Sequence, residues 1–149
     1  MNTPTILVIE DNHRIKKLVE WTLAAQDYAV ITASDGEEGL KLVEQADLIL
    51  LDLQLPKLSG EEFLKTIRQN GNDVPVIVIS AISANSVLDH LQKYRIVYFV
   101  EKPFSLSKLS DRIHEALRVS RVVFGETIQK ITEFVERQEQ YRNLPDSIG

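Results

Sequence analysis

The chain has 149 residues, no cysteine and a formal charge of −5. Its length predicts one domain with an appendage, and the absence of cysteine excludes a disulfide framework and a thiolate metal site. The acidic balance argues against a nucleic-acid surface, so no direct DNA binding is expected. No apolar run approaches the roughly 18–20 residues of a membrane span, and the N-terminal stretch lacks a basic region. A cytoplasmic protein without membrane contact is therefore expected.

Short apolar runs alternate with helical patterns along most of the chain. The runs are rich in Val and Ile, which predicts buried parallel strands. Strands are expected over Thr5–Ile9, Tyr28–Ala33, Leu48–Leu51, Val76–Ile79 and Val97–Val100. Helices are expected over Asn12–Ala25, Glu37–Gln45, Glu61–Gln69, Asn85–Tyr94 and Leu106–Val119. Five such units with the first strand central predict a doubly wound, flavodoxin-like α/β sheet in the order 2-1-3-4-5.

The pattern changes near residue 120, which divides the chain into a domain over 1–119 and a helical tail over 120–149. A further helix is expected over Glu126–Arg142, with a weak heptad pattern. Three roles of the tail stay open: a homodimer contact, a connector to an output domain, or a cap on the domain's output face. The tail is mixed in charge and too short for a helix-turn-helix domain, which also predicts no direct DNA binding.

Polar residues follow four of the expected strands at the point where each strand ends. They are Glu10, Asp11, Asp52, Ser80 and Lys102. In an open α/β sheet, reactive groups gather beyond the carboxyl ends of the strands, where the strand order reverses. These five side chains are therefore expected to meet at one edge of the sheet. Three carboxylates, a hydroxyl and an ammonium group there predict a site for Mg²⁺ and a phosphoryl group.

The carboxylates have distinct expected roles in that site. Asp52 is the candidate phosphoacceptor, because a carboxylate can attack phosphorus and form an acyl phosphate. Mg²⁺ binds proteins through one or two carboxylates, several waters and the phosphate itself. Glu10 and Asp11 are the candidate ligands, and the backbone carbonyl of Gln54 offers one more oxygen. Such crowded carboxylates repel one another unless a cation compensates, and chains tolerate this conflict chiefly at functional sites.

Four motifs, ILVIEDN, LILLDLQLPKLSG, VIVISA and EKPF, resemble those of two-component response-regulator receiver domains of the chemotaxis-regulator type. The resemblance covers residues 3–119. It implies that Asp52 accepts a phosphoryl group from a phosphohistidine on a sensor histidine kinase or a histidine phosphotransfer protein. It also implies that Mg²⁺ is bound by Glu10, Asp11 and Asp52.

The same resemblance implies a conformational switch. Ser80 and Lys102 would contact the phosphoryl group, and the Lys102–Pro103 peptide would be cis. Phe99, three positions before the lysine, would reorient as Ser80 moves. The face formed by residues 85–119 would then control a downstream protein target. The chain departs from the usual pattern of the family on that face, at Arg95-Ile96 and at Tyr98.

Other functions of doubly wound proteins require motifs that this sequence lacks. A phosphatase with an aspartate nucleophile needs a general acid two residues after Asp52, and Gln54 there cannot donate a proton usefully. A nucleotide or flavin binder needs a glycine-rich loop after the first strand, where EDNHR follows instead. The G-x-S-x-G motif of serine hydrolases is absent. The chain is thus expected to catalyse only its own phosphorylation and dephosphorylation.

Overall fold

The computed structural model describes the secondary structure of residues 3–124 and the side-chain surroundings of residues 3–118. Five parallel strands form one sheet: β1 (Thr5–Ile9), β2 (Ala29–Ala33), β3 (Leu48–Asp52), β4 (Val76–Ser80) and β5 (Tyr98–Glu101). Their order in the sheet is β2-β1-β3-β4-β5. The predicted fold class and strand order are confirmed.

Helices connect the strands and continue the chain after the last one. They are α1 (His13–Ala24), α2 (Gly36–Leu42), α3 (Gly60–Gln69), α4 (Ala84–Leu91) and α5 (Leu106–Phe124), with short 3₁₀ helices at Val43–Gln45 and Gln92–Tyr94. The first three begin at a polar cap, where the side chain of Asn12, Asp35 or Ser59 accepts a hydrogen bond from an N–H three residues on. Such caps satisfy one of the free amide groups of a helix start.

Alternate residues of the strands face opposite layers of helices. On β1, for example, Leu7 and Ile9 pack with Phe63 of α3, while Ile6 and Val8 pack with Val19 of α1. Because both faces of the sheet are covered, the strands are apolar without interruption rather than alternating. This explains why short apolar runs were sufficient to predict the strands.

The structure corrects two expectations about helices. The helical spacing of apolar residues over Asn12–Ala25 predicts that Leu18 lies on the inward face with Val19 and Leu23. In the structure Leu18 is 49% exposed, because α1 buries only Val19 and Leu23. The last helix continues to Phe124 instead of ending at Val119, since no glycine or proline interrupts the chain before Gly125. The helix expected over Glu126–Arg142 lies outside the described residues. Within the described part of the chain, no helix is long and apolar enough to cross a membrane.

Candidate functional site

The polar residues at the strand ends meet at one edge of the sheet, as predicted. Asp52 and Ser80 are the last residues of β3 and β4, and Glu10 directly follows β1. Among residues 3–118, these three are the buried polar or charged residues. Burying a charge without a partner is costly, so such residues are expected to be paired or to bind a ligand.

Glu10, Asp11 and Asp52 form a group of carboxylates that suits a divalent cation. Each offers one oxygen, and these oxygens lie within 4.8 Å of one another. Hard cations such as Mg²⁺ prefer oxygen ligands and usually keep several waters. Asp11 is exposed to solvent while Glu10 and Asp52 are buried. The arrangement therefore leaves one side on which water or a phosphate oxygen can complete the coordination.

Lys102 lies between the two buried carboxylates. Its Nζ atom donates hydrogen bonds to Glu10 Oε1 at 2.6 Å and to Asp52 Oδ2 at 3.0 Å. Its backbone N–H also donates to the carbonyl oxygen of Ser80 at 2.7 Å, and the Lys102–Pro103 peptide is cis as expected. Burial alone would lower the pKa of Lys102, but its bonds to the two carboxylates outweigh burial and raise that pKa. Lys102 is thus held as a cation that compensates the crowded negative charge.

The surroundings of Glu10 in the pocket disfavour its ionised form. Burial, followed by its hydrogen bond with Asp52, raises the pKa of Glu10 from its ordinary value of 4.5 to about 7, although Lys102 acts in the opposite direction. A carboxyl group with such a pKa holds its proton over much of the acid range. A bound divalent cation would favour the ionised form of Glu10 and would compete with that proton.

Glu10 is therefore expected to make the metal-free protein less stable as the pH rises. Because the pKa of Glu10 is higher in the folded chain than in the unfolded chain, its contribution is complete below pH 4.5 and is lost as the pH rises through about 7. Glu10→Gln, which stays neutral, should be more stable than the parent at pH 8 with a chelator, by on the order of 2 kcal/mol. Urea unfolding of both proteins at pH 4 and pH 8 measures this difference. A difference that does not grow with pH would contradict the prediction.

Backbone N–H groups also donate hydrogen bonds to the side chains of Asp52 and Ser80. The N–H of Gln54 donates to Asp52 Oδ1 at 3.1 Å, so both oxygens of the Asp52 carboxylate have a partner. The N–H of Ile82 donates to Ser80 Oγ at 3.0 Å. The carbonyl of Gln54 as a metal ligand stays a prediction.

Phe99 lies on β5 opposite Val78 of β4. Its side chain is half-buried and packs against the core cluster between the sheet and α3. Phe99 carries no hydroxyl group, so packing alone holds its ring at this position. Its reorientation stays a prediction.

Two features of the site were missed by sequence reasoning. Gly60, at the start of α3, lies directly against the backbone of Asp52 and Leu53. Glu101, the residue before Lys102, accepts a hydrogen bond from the backbone N–H of Ala84 at 2.7 Å. Both contacts depend on how separate elements pack against one another. Only the position of Glu101 next to Lys102 could have drawn attention to it in the sequence.

Comparison with known proteins decides the family. A family model described as the response regulator receiver domain matches residues 6–114. The chain belongs to the response regulator receiver domain family. It is 38% identical over 114 residues to the transcriptional regulatory protein YcbL of Bacillus subtilis, covering 75% of this chain and 50% of that protein. It is 37% identical over 121 residues to the alkaline phosphatase synthesis transcriptional regulatory protein PhoP of Bacillus subtilis, covering 78% and 50%.

Solved receiver domains share the fold. The receiver domain of the Francisella response regulator 1452 superposes with a TM-score of 0.74 at 28% identity, covering 79% of this chain and 99% of that one. Receiver domains are phosphoacceptor signalling domains of two-component systems, so the general role of this chain as a phosphorylation switch follows from the family.

The names of the relatives overturn one expectation. This receiver chain spans about half the length of the curated relatives it matches, and these are transcriptional regulators. The expectation of no direct DNA binding is therefore wrong. It was drawn from the net charge of this chain and the short tail, and neither bears on the other half of a transcriptional regulator.

Proposed function

We propose that this receiver domain is switched by transfer of a phosphoryl group to Asp52 with Mg²⁺ as cofactor. The observation that carries the proposal is the pocket itself: three carboxylate oxygens within 4.8 Å of one another, with Lys102 bonded to two of those residues. This combination provides an acceptor, cation ligands and a fixed positive charge. Glu10, Asp11 and Asp52, with the carbonyl of Gln54, would hold the Mg²⁺.

The chemistry requires little beyond positioning and charge. An oxygen of Asp52 attacks phosphorus, the bond between phosphorus and the histidine nitrogen of the donor breaks, and that nitrogen leaves with its electron pair. Bound Mg²⁺ would neutralise part of the charge on the phosphoryl oxygens. Asp52 loses its own negative charge as the acyl phosphate forms, so Lys102 then pairs with a phosphoryl oxygen. The Ser80 hydroxyl donates a hydrogen bond to another phosphoryl oxygen.

The partners follow from this chemistry and from the relatives. The donor is a phosphohistidine on a sensor histidine kinase or a histidine phosphotransfer protein, met in the cytoplasm. Movement of Ser80 and Phe99 alters the face formed by residues 85–119, which controls a protein target or an output domain acting in transcription. The chain itself catalyses only its own phosphorylation and dephosphorylation.

The division into a receiver domain over 1–119 and a tail over 120–149 is part of the proposal. The last helix, α5, continues to Phe124, past the expected boundary. The role of the tail as a homodimer contact, a connector or a cap stays a prediction. Light scattering with and without a phosphoryl analogue separates a homodimer contact from a cap, because a cap predicts a monomer in both states.

Incubation with Mg²⁺ and a small acyl phosphate is expected to add one phosphoryl group to the chain. The gain should require the metal, because without a cation the three carboxylates repel the incoming phosphate. Intact mass spectrometry measures the gain, and an excess of chelator is the control. An unchanged mass with several acyl phosphates and phosphohistidine donors would contradict the proposed function.

A further inference from the structure

Helix α4 is held in place by few apolar contacts. Of its eight residues, only Leu91 is buried. By comparison, α3 buries Phe63, Leu64 and Ile67 in addition to its first glycine. A helix with so little buried surface depends on polar contacts for its position. One such contact is near its C-terminal end, where His90 meets Glu61 of α3.

The start of α4 lacks the capping side chain and the acidic first-turn residues that α2 and α3 have. The helices α2 and α3 each begin with a capping side chain and two glutamates in the first turn. In α4, the preceding Ser83 makes no capping hydrogen bond, and the first turn has no acidic residue. Free amide groups at a helix start favour an acceptor, and the helix dipole favours a negative charge.

Glu101 of β5 supplies the hydrogen-bond acceptor from another part of the chain. Its Oε1 atom accepts a hydrogen bond from the N–H of Ala84, the first residue of α4, at 2.7 Å. The next residue, Lys102, donates its backbone N–H to the carbonyl of Ser80. Glu101, the last residue of β5, and Lys102, which follows it, therefore fix the two ends of the β4–α4 loop, which consists of residues 81–83.

That loop also holds the hydroxyl of the site. The N–H of Ile82, in the middle of the loop, donates to Ser80 Oγ. The position of the loop thus determines where the Ser80 hydroxyl stands relative to Asp52. If the end of the loop at Ala84 were released, the loop would have to be ordered when a phosphoryl group binds, which reduces affinity.

We propose that Glu101 is a positioning residue for the phosphoryl site: by capping α4 at Ala84, it fixes the β4–α4 loop and the Ser80 hydroxyl. The inference rests on the proposed function, since it concerns the affinity of the same site for a phosphoryl group. Glu101 acts through the hydrogen bond, and its negative charge is not required. Mg²⁺ binding by the carboxylates does not depend on it.

The test removes each side of the hydrogen bond separately. Glu101→Ala removes the acceptor, and Ala84→Pro removes the donor. Proline is well tolerated as the first residue of a helix, and Ser83 already has the extended backbone (φ −62°, ψ 137°) that a following proline requires. Glu101→Gln keeps an acceptor oxygen without the charge. Ala84→Ser, which keeps the N–H, and Glu44→Ala, at an exposed glutamate elsewhere, are the matched controls.

The measurement is the affinity for beryllofluoride, a phosphoryl analogue, at saturating Mg²⁺, together with the affinity for Mg²⁺ alone, both by calorimetry. Glu101→Ala and Ala84→Pro should each weaken beryllofluoride binding by roughly three- to tenfold, as loss of one hydrogen bond predicts. The double variant should be no weaker than either single variant. Glu101→Gln and both controls should stay within about twofold of the parent, and Mg²⁺ affinity should be unchanged throughout.

The outcomes separate the two proposals. If the parent protein does not bind beryllofluoride with Mg²⁺, the proposed function fails and this inference fails with it. If the parent binds but Glu101→Ala and Ala84→Pro bind equally well, only the positioning role is overturned. A parallel loss of Mg²⁺ affinity, or additive losses in the double variant, would also overturn it, because the effect would not pass through this hydrogen bond.

Discussion

Replacing Asp52 with asparagine is expected to abolish phosphorylation by acyl phosphates, lowering the rate by at least about 100-fold. The amide of asparagine is a poor nucleophile, while its size and shape match those of the carboxylate. The hydrogen bond that Asp52 accepts from the N–H of Gln54 can be kept by the amide oxygen. Intact mass spectrometry after incubation with Mg²⁺ and the donor measures the loss.

Loss of phosphorylation in this variant should not come from loss of the fold. Asp52 contributes to the raised pKa of Glu10, so removing its charge relieves repulsion in a buried pocket. Lys102 still pairs with Glu10 at 2.6 Å. We therefore expect a free energy of unfolding that is unchanged or about 1 kcal/mol higher without metal.

The control is Asp111→Asn, at an exposed aspartate of α5, which should be phosphorylated like the parent. Phosphorylation of the Asp52 variant at the parent's rate would show that another residue accepts the phosphoryl group. A large fall in its stability would contradict the account of repulsion between Asp52 and Glu10.

The site could be predicted because it depends on rules that act along the sequence. The parallel order of the strands places every strand end at the same edge, and the register pairs Asp52 of β3 with Ile79 of β4, next to Ser80. Even the reach of Lys102 to Glu10, 92 positions away in the chain, follows once β1 and β5 lie in one sheet. Strand ends were accordingly displaced by no more than one residue from those expected.

Packing between elements could not be predicted in the same way. Leu18 belongs to an apolar stripe in the sequence, but the width of the buried face of α1 depends on its neighbours, and Leu18 is left half-exposed. The hydrogen bond from the N–H of Ala84 to Glu101 joins residues 17 positions apart, and no local sequence pattern predicts it. The relatives are transcriptional regulators of which this chain spans about half, and the net charge of this chain was not evidence about the whole length of such proteins.

Gly60 shows most clearly how packing reverses a local expectation. In an exposed helix, replacing glycine with alanine raises the free energy of unfolding by up to about 1 kcal/mol. The helix propensity of alanine alone would therefore favour Gly60→Ala. At this position, however, an added Cβ atom would lie 2.6 Å from Leu53 Cα and closer still to the carbonyl oxygen of Asp52. Both are backbone atoms, and neither can turn aside as a flexible side chain could.

Gly60→Ala is therefore expected to lower the free energy of unfolding by about 2–4 kcal/mol and to slow phosphorylation. Either α3 must move away, which disturbs the buried Phe63, or the backbone of Asp52 must shift within the pocket. Urea unfolding and the rate of mass gain with an acyl phosphate measure the two effects. A variant as stable and as rapidly phosphorylated as the parent would contradict the close contact.

Gly71→Ala is the matched control, because it lowers the free energy of unfolding for a different reason and at a different position in the chain. Gly71 has a φ of +80°, and an added Cβ would meet no heavy atom within 4 Å. Alanine there is strained only by its backbone conformation, which costs on the order of 1 kcal/mol. This variant should lose some stability but be phosphorylated at the parent's rate. Slower phosphorylation confined to Gly60→Ala would show that the contact between α3 and Asp52 sets the position of the acceptor, beyond any general effect on stability.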